Sequence, residues 1–298
     1  MIGKFLKRAF ALVGIATSAI GAPQPAPAPM ARPALWQVSD PDTTIYLFGT
    51  IHILPEGYQW ETPKLRNAVA NSSELYVETI VDPKNPTELI AALRSMGYSK
   101  GLPPIADRVA SSKKPLLEAA IAKSGIPRAT FDGMETWAAA FTLLGVQYRT
   151  IGLAGENGVE QTLKDQFGAA SKPIGQLETN SEQLSFFDRL PEKAQRSLLE
   201  GSIEPSHAAS DEFSGMLRAW VTGDVKSIAK TFNQDLAPTP ELRDVLLEQR
   251  NENWSRWIEQ RMQKPGTAMI AVGAGHLAGH DSVLARLESA GYRVKRIQ

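Results

Sequence analysis

Apolar residues gather into short runs punctuated by glycine and proline, and two of these runs end alike. IYLFGTIHILPE, residues 45–56, and AMIAVGAGHLAG, residues 268–279, each carry an apolar stretch into Gly-x-x-His, Gly49 to His52 and Gly273 to His276. Runs this rich in Ile, Leu, Val and Phe predict buried strands, and a terminal glycine permits a sharp turn or a close approach. Each histidine then falls just past a strand's carboxyl end, where open α/β sheets hold their ligands.

Other segments read around these two. LWQVSD and TTIYLFGT flank Asp40-Pro41-Asp42, a turn composition that predicts a hairpin into the first motif. Residues 63–73 have the spacing of a short helix, and ELYVET, residues 74–79, alternates as a strand that delivers Glu78 at its end. Strand, helix, strand predicts parallel pairing through a right-handed crossover, with His52 and Glu78 on one edge of a sheet. Residues 151–179 repeat that grammar, a helix and then a strand closing on Leu177-Glu178-Thr179, beside Val77-Glu78-Thr79. Residues 84–148 and 181–237 carry only helical spacing and predict helical insertions. A long amphipathic helix over 240–263 stops at Pro265-Gly266; the second Gly-x-x-His strand, a helix and a terminal strand follow, so the tail mirrors the head. The expected fold class is α/β: a central mixed, largely parallel sheet built from two related halves, with helical insertions.

Charge and composition narrow the function. Formal net charge is zero, which gives no electrostatic reason to expect a nucleic-acid partner. No cysteine is present, which excludes disulfides, thiol nucleophiles and Cys-type metal sites. At the start, Lys4, Lys7 and Arg8 precede the apolar AFALVGIATSAIGA, residues 9–22. That run is short of the roughly 20 apolar residues a spanning helix needs, so residues 1–22 predict a signal peptide and an exported, periplasmic protein, with an uncleaved anchor as the alternative. Residues 23–34 form a Pro/Ala-rich linker, and the folded domain is expected over 35–298, with no further membrane span.

Familiar catalytic motifs are absent: no Gly-x-Ser-x-Gly elbow, no Walker loop, no His-Glu-x-x-His helix. The chain instead resembles the TraB/GumN family, whose wider group includes the Tiki metalloproteases. The resemblance rests on LWQVSD…TIYLFGTIHILP, VET at 77–79, GVEQTL at 158–163, QLETNSEQL at 176–184, RNENW at 250–254 and AVGAGHLAG at 271–279. It implies an α/β fold in which two Gly-x-x-His histidines and a glutamate meet, here His52, His276 and Glu78. The Tiki branch acts as a divalent-metal-dependent peptidase; the similar erythromycin esterases hydrolyse without an evident metal, using a histidine as base.

Two imidazoles and a carboxylate suit a divalent ion (Mn, Co, Zn or Fe) with open positions for water and substrate. In this picture His52 and His276 are ligands, and Glu78 and Glu178 divide the roles of third ligand and general base. Arg250 stabilises an oxyanion or orients a carboxylate; Glu178 equally suits a structural pair with Arg250. Glu160 reads as an ordinary first-turn helix acid. Asn251, Trp254 and Trp257 read as packing and capping of the long helix, His207 as a residue of a polar loop and His280 as incidental to the motif. The expected function is an exported metal-dependent hydrolase acting on a peptide, another amide or a small molecule. A metal-independent esterase-like hydrolase and a non-catalytic peptide-binding protein are the alternatives.

Overall fold

The structure, a computed structural model, describes residues 30–52, 54, 55, 58–81, 87–150, 158–204, 206–236 and 239–298, without the side chains of 148–150, 206–212 and 235. The signal-peptide region and most of the linker lie outside the described residues. Ordered packing reaches back to Ala31, which is fully buried and whose N–H donates to the Gln59 carbonyl at 2.7 Å.

Six strands form one mixed sheet: β1 (Leu35–Ser39), β2 (Thr43–Thr50), β3 (Glu74–Val77), β4 (Ile174–Gln176), β5 (Gly266–Gly273) and β6 (Val294–Arg296), in the order β4-β3-β5-β2-β1-β6. The expected hairpin is β1 against β2, antiparallel, with the Asp40 carboxylate accepting from the Thr43 N–H at 2.7 Å in the turn. Only β1 runs against the rest: β4, β3, β5 and β2 pair in parallel, and β6 pairs antiparallel to β1. The crossover from β2 through helix α1 (Pro63–Asn71) to β3 is present, but β2 and β3 are not neighbours, because β5 lies between them. The two Gly-x-x-His strands are therefore adjacent at the sheet centre, with Gly49 opposite Val272 and Thr50 opposite Gly273.

Period-two alternation sorts each central strand between two cores. Phe48, Leu75, Val77, Met269 and Ala271 face the larger, mostly helical side. Ile45, Leu47, Ile270 and Val272 face the smaller side, where Trp254, Ile258 and Met262 pack with Val283, Leu284 and Leu287. A strand buried on both faces has to be apolar throughout, which is why β2 and β5 stand out in the sequence.

The predicted insertions are helical and contain no strand among the described residues, apart from one isolated bridge between Tyr98 and Met134. The first holds α2 (Thr87–Met96), α3 (Lys114–Ser124) and α4 (Thr136–Thr150); α5 (Val159–Ala169) then leads into β4. The second holds α6 (Asn180–Asp188), α7 (Glu192–Ser202), α8 (Ser206–Thr222) and α9 (Val225–Leu236). His207, expected in a polar loop, belongs to α8. This helical layer reaches the sheet centre, where the Trp220 indole N–H donates to the Gly49 carbonyl at 2.8 Å. The long helix expected over 240–263 is interrupted: Pro240–Arg243 passes into a π-helical segment, Asp244–Glu248, before α10 (Gln249–Met262). Helix α11 (Val283–Ser289) follows β5. No helix among the described residues is long and apolar enough to cross a membrane.

Candidate functional site

Four parallel strands end along one edge, and their register fixes what meets there. Val77 pairs with Ala271 and with Gln176, so the residues that follow, Glu78, Val272 and Leu177, continue side by side. Backbone N–H groups of Leu177 and Glu178 both donate to the Glu78 carbonyl, at 3.2 and 3.0 Å, which brings the two glutamates together. Thr179 then caps α6 in a capping box with Glu182, turning the chain sharply away and leaving Glu178 at the edge. Where β5 ends, the Gly273 N–H donates to Glu78 Oε1 at 2.8 Å.

Arg250 enters this edge from α10 and is 4% exposed. Its Nε donates to Glu178 Oε2 at 3.1 Å, and its Nη2 donates to Glu178 Oε1 and, at 2.7 Å, to Glu78 Oε2. Nη1 faces His276 Nε2 at 3.2 Å and the Leu246 carbonyl at 3.5 Å. A guanidinium has five N–H donors, and each has an acceptor here. In this arrangement no donor is left for a substrate oxyanion, so Arg250 orients the carboxylates and His276. The side chain also lies over the Trp254 ring, 4.7 Å from its centroid.

His276 is fully buried between these groups, its ring centroid 4.4 Å from that of Trp254. Nδ1 meets Asn251 Oδ1 at 2.7 Å, and Nε2 lies 4.0 Å from Glu78 Oε1. His52, following β2, turns toward α5, where its Nδ1 contacts Glu160 Oε2. Glu160 is held in turn by the Thr50 hydroxyl, which donates to Oε1 at 2.6 Å, and the Val159 N–H donates to the Ile51 carbonyl at 3.2 Å. The N-terminus of α5 is thus docked onto the end of β2. His52 Nε2 is buried and has no hydrogen-bond partner.

Electrostatics follow from burial and from Arg250. Burial alone would raise the Glu78 carboxyl, but the guanidinium outweighs it and, with both histidines and the Gly273 N–H, holds it down at about 2. Glu178 touches the same guanidinium yet is shifted upward, because burial dominates and the Glu78 charge adds to it. Burial lowers both imidazoles, His52 to about 4 and His276 to about 3, with Arg250 pushing in the same direction. Both rings are therefore neutral at pH 7.

Among the described residues, His52, Glu78 and Glu160 offer ligand atoms all within 4.8 Å of one another. Two expected ligands, His52 and Glu78, are in this group. His276 stands outside it, against Arg250 and Asn251, while Glu178 and Arg250 form the ion pair beside it. Glu160 departs from its expected role as an ordinary helix acid. It does occupy the first turn of α5, but Val159, Leu163 and Phe167 are buried along the same helix and Glu160 itself is only 9% exposed. A carboxylate on the apolar face of an amphipathic helix is the sequence signal that points to it. His280 is 73% exposed and pairs with Asp281.

The fold and this edge define an α/β protein with a buried carboxylate, imidazole and guanidinium cluster at the carboxyl ends of its central strands. Residues 34–296 match the TraB/PrgY/gumN family, and the chain belongs to it. Neither the curated proteins nor the solved structures contain a match to it.

Proposed function

We propose that the protein is a metal-dependent hydrolase of peptide or other amide bonds, with His52, Glu78 and Glu160 holding the divalent ion. The observation that carries this reading is the buried group itself, in which His52, Glu78 and Glu160 each offer a ligand atom within 4.8 Å of the others. Charge supports it as well. Glu78 and Glu178 share the Arg250 guanidinium, Glu160 lies against a His52 ring that is neutral at pH 7, and a divalent cation would offset the carboxylate charge beside that ring. A manganese, cobalt, zinc or iron ion would polarise a carbonyl and lower the pKa of a bound water. Glu160 touches the His52 ring at Nδ1, a contact that an ion shared by the two residues would replace. Arg250 and the Gly273 N–H hold Glu78 ionised and in place. Glu178, shifted upward, is the carboxyl best suited to accept and return a proton. Peptides as the substrate class rest on the resemblance to the Tiki branch, and export rests on the signal-peptide pattern of residues 1–22.

The same contact favours a second reading, in which Glu160 orients His52 as a general base without a metal. A base works best with a pKa near the operating pH, and His52 at about 4 is well below it. A neutral imidazole of that kind makes a better ligand than base. Metal analysis of protein purified without chelator, beside His52→Ala and Glu160→Gln, separates the readings. Stoichiometric metal lost in both variants supports the first. No metal in the wild type after adding back manganese, cobalt, zinc or iron overturns it. Failure to consume any member of a peptide library would leave a binding role instead.

A further inference from the structure

Asn251 follows Arg250 on α10 and is 2% exposed, and its amide faces two partners of opposite demand. Nδ2 donates to the Asp281 carbonyl at 2.9 Å. A carbonyl can only accept, so Oδ1 is the atom turned to His276 Nδ1, and the 2.7 Å contact requires a proton on Nδ1. Across the ring, Arg250 Nη1 stands 3.2 Å from Nε2. A guanidinium can only donate, so Nε2 must carry the lone pair. Two independent contacts demand the same tautomer.

We propose that Asn251 is a positioning residue, which fixes His276 as the neutral Nδ1–H tautomer and so presents its Nε2 to Arg250. Through that contact it keeps the guanidinium fork aligned on Glu78 and Glu178. Its mount is built for the task. The Ser255 hydroxyl donates to the Asn251 carbonyl at 2.7 Å, and Asp281, whose carbonyl holds Nδ2, is itself anchored by Arg243. Trp254 lies against the ring and fixes its plane. An amide suits the position better than a carboxylate. Aspartate would accept from Nδ1 but would set an anion against the Asp281 carbonyl. It would also favour an imidazolium, whose Nε2–H would oppose the Arg250 N–H.

Any part this alignment plays in hydrolysis rests on the function proposed above, and the test does not use turnover. The chain has only four histidines, so the ring nitrogens of 15N-histidine-labelled full-length protein can be assigned, with His276→Gln identifying the signal. In EDTA-treated wild type, His276 is expected to show a slowly exchanging Nδ1–H and an unprotonated Nε2. Asn251→Ala loses the slowly exchanging proton, and Asn251→Asp, which keeps an acceptor, retains it at a cost in melting temperature. A proton on Nε2 in the wild type overturns the proposal. So does a protected Nδ1–H that survives in a folded Asn251→Ala protein, or is lost alike in a folded Asn251→Asp.

Discussion

Replacing Arg250 with methionine keeps the length and apolar stem of the side chain and removes the one positive charge that bridges Glu78 and Glu178. Both carboxylates are buried, at 2% and 7% exposure, and would face each other without it. Removing one partner of a buried ion pair costs about 3–5 kcal/mol, and the lost contact at His276 Nε2 and the two bonds to Glu178 place the expected cost toward the upper part of that range. Acid should shrink the penalty. Carboxylates freed from Arg250 take up protons well above their usual range, and each tenfold gain in proton affinity is worth about 1.4 kcal/mol. Between pH 7.5 and pH 5.5 the difference between wild type and variant should therefore fall by about 1–3 kcal/mol. Urea unfolding in EDTA, followed by tryptophan fluorescence at both values, measures it. Neutralising the stranded acids, in Arg250→Met with Glu78→Gln and Glu178→Gln, should recover most of the loss. A penalty below about 1 kcal/mol, the worth of an exposed pair, or one that does not change with pH, would refute this account of the cluster.

Three further outcomes are expected. Wild-type stability should decline on acidification from pH 6.5 toward 4: the buried histidines have folded pKa values of about 4 and 3, so the unfolded chain takes up protons first. His52 alone contributes on the order of 2 kcal/mol of that loss by pH 5, and His52→Gln should flatten the profile. Gly275→Ala should destabilise by about 1–3 kcal/mol, since a Cβ there falls 2.5 Å from Cζ of the buried Phe232 ring; Phe232→Leu should partly restore the melting temperature if that collision is the cause. Glu160→Gln should weaken metal uptake while barely moving the far-UV spectrum, because it alters the His52 contact at the start of α5 and not the helix itself.

Much of the architecture is legible in the sequence because burial on both faces leaves a strong trace. Residues 45–48 and 268–272 are apolar or aromatic, and Gly49 and Gly273 close them, as the close approach of Gly49 to Ala274 illustrates: a Cβ there would lie 3.1 Å from the Ala274 Cα. Glu78 and Glu178 are visible as acids ending apolar strands, which demands a partner, and Arg250 supplies it. What the sequence does not reveal is adjacency. That β5 separates β2 from β3 depends on pairing across the sheet, which local spacing does not encode. Glu160 and Asn251 escape for a related reason: each has an ordinary local role, in a first helical turn and on a helix face, and acquires its second role only from residues far away in the chain. The π-helical segment before Arg250 is also hidden, since its residues suit an α-helix equally well.

The central position of β5 has a consequence for how the chain acquires its structure. Thr43 to Thr50 must wait for Gly266 to Gly273, more than two hundred positions later, before either strand has its parallel neighbour. Contacts that distant in sequence slow folding, because a long loop must close before it is rewarded. A chain that emerges with its N-terminus first presents β1 with β2 and β3 with β4 as separate pieces, each with an apolar edge unpaired, until residues 266–273 arrive to join them. The same arrival delivers the Gly273 N–H and brings His276, so the gap at the sheet centre and the carboxylate edge are closed together, with β6 left to pair on β1. Fragments ending before residue 266 would carry four of the six strands and no continuous sheet, a state suited to holding by a chaperone.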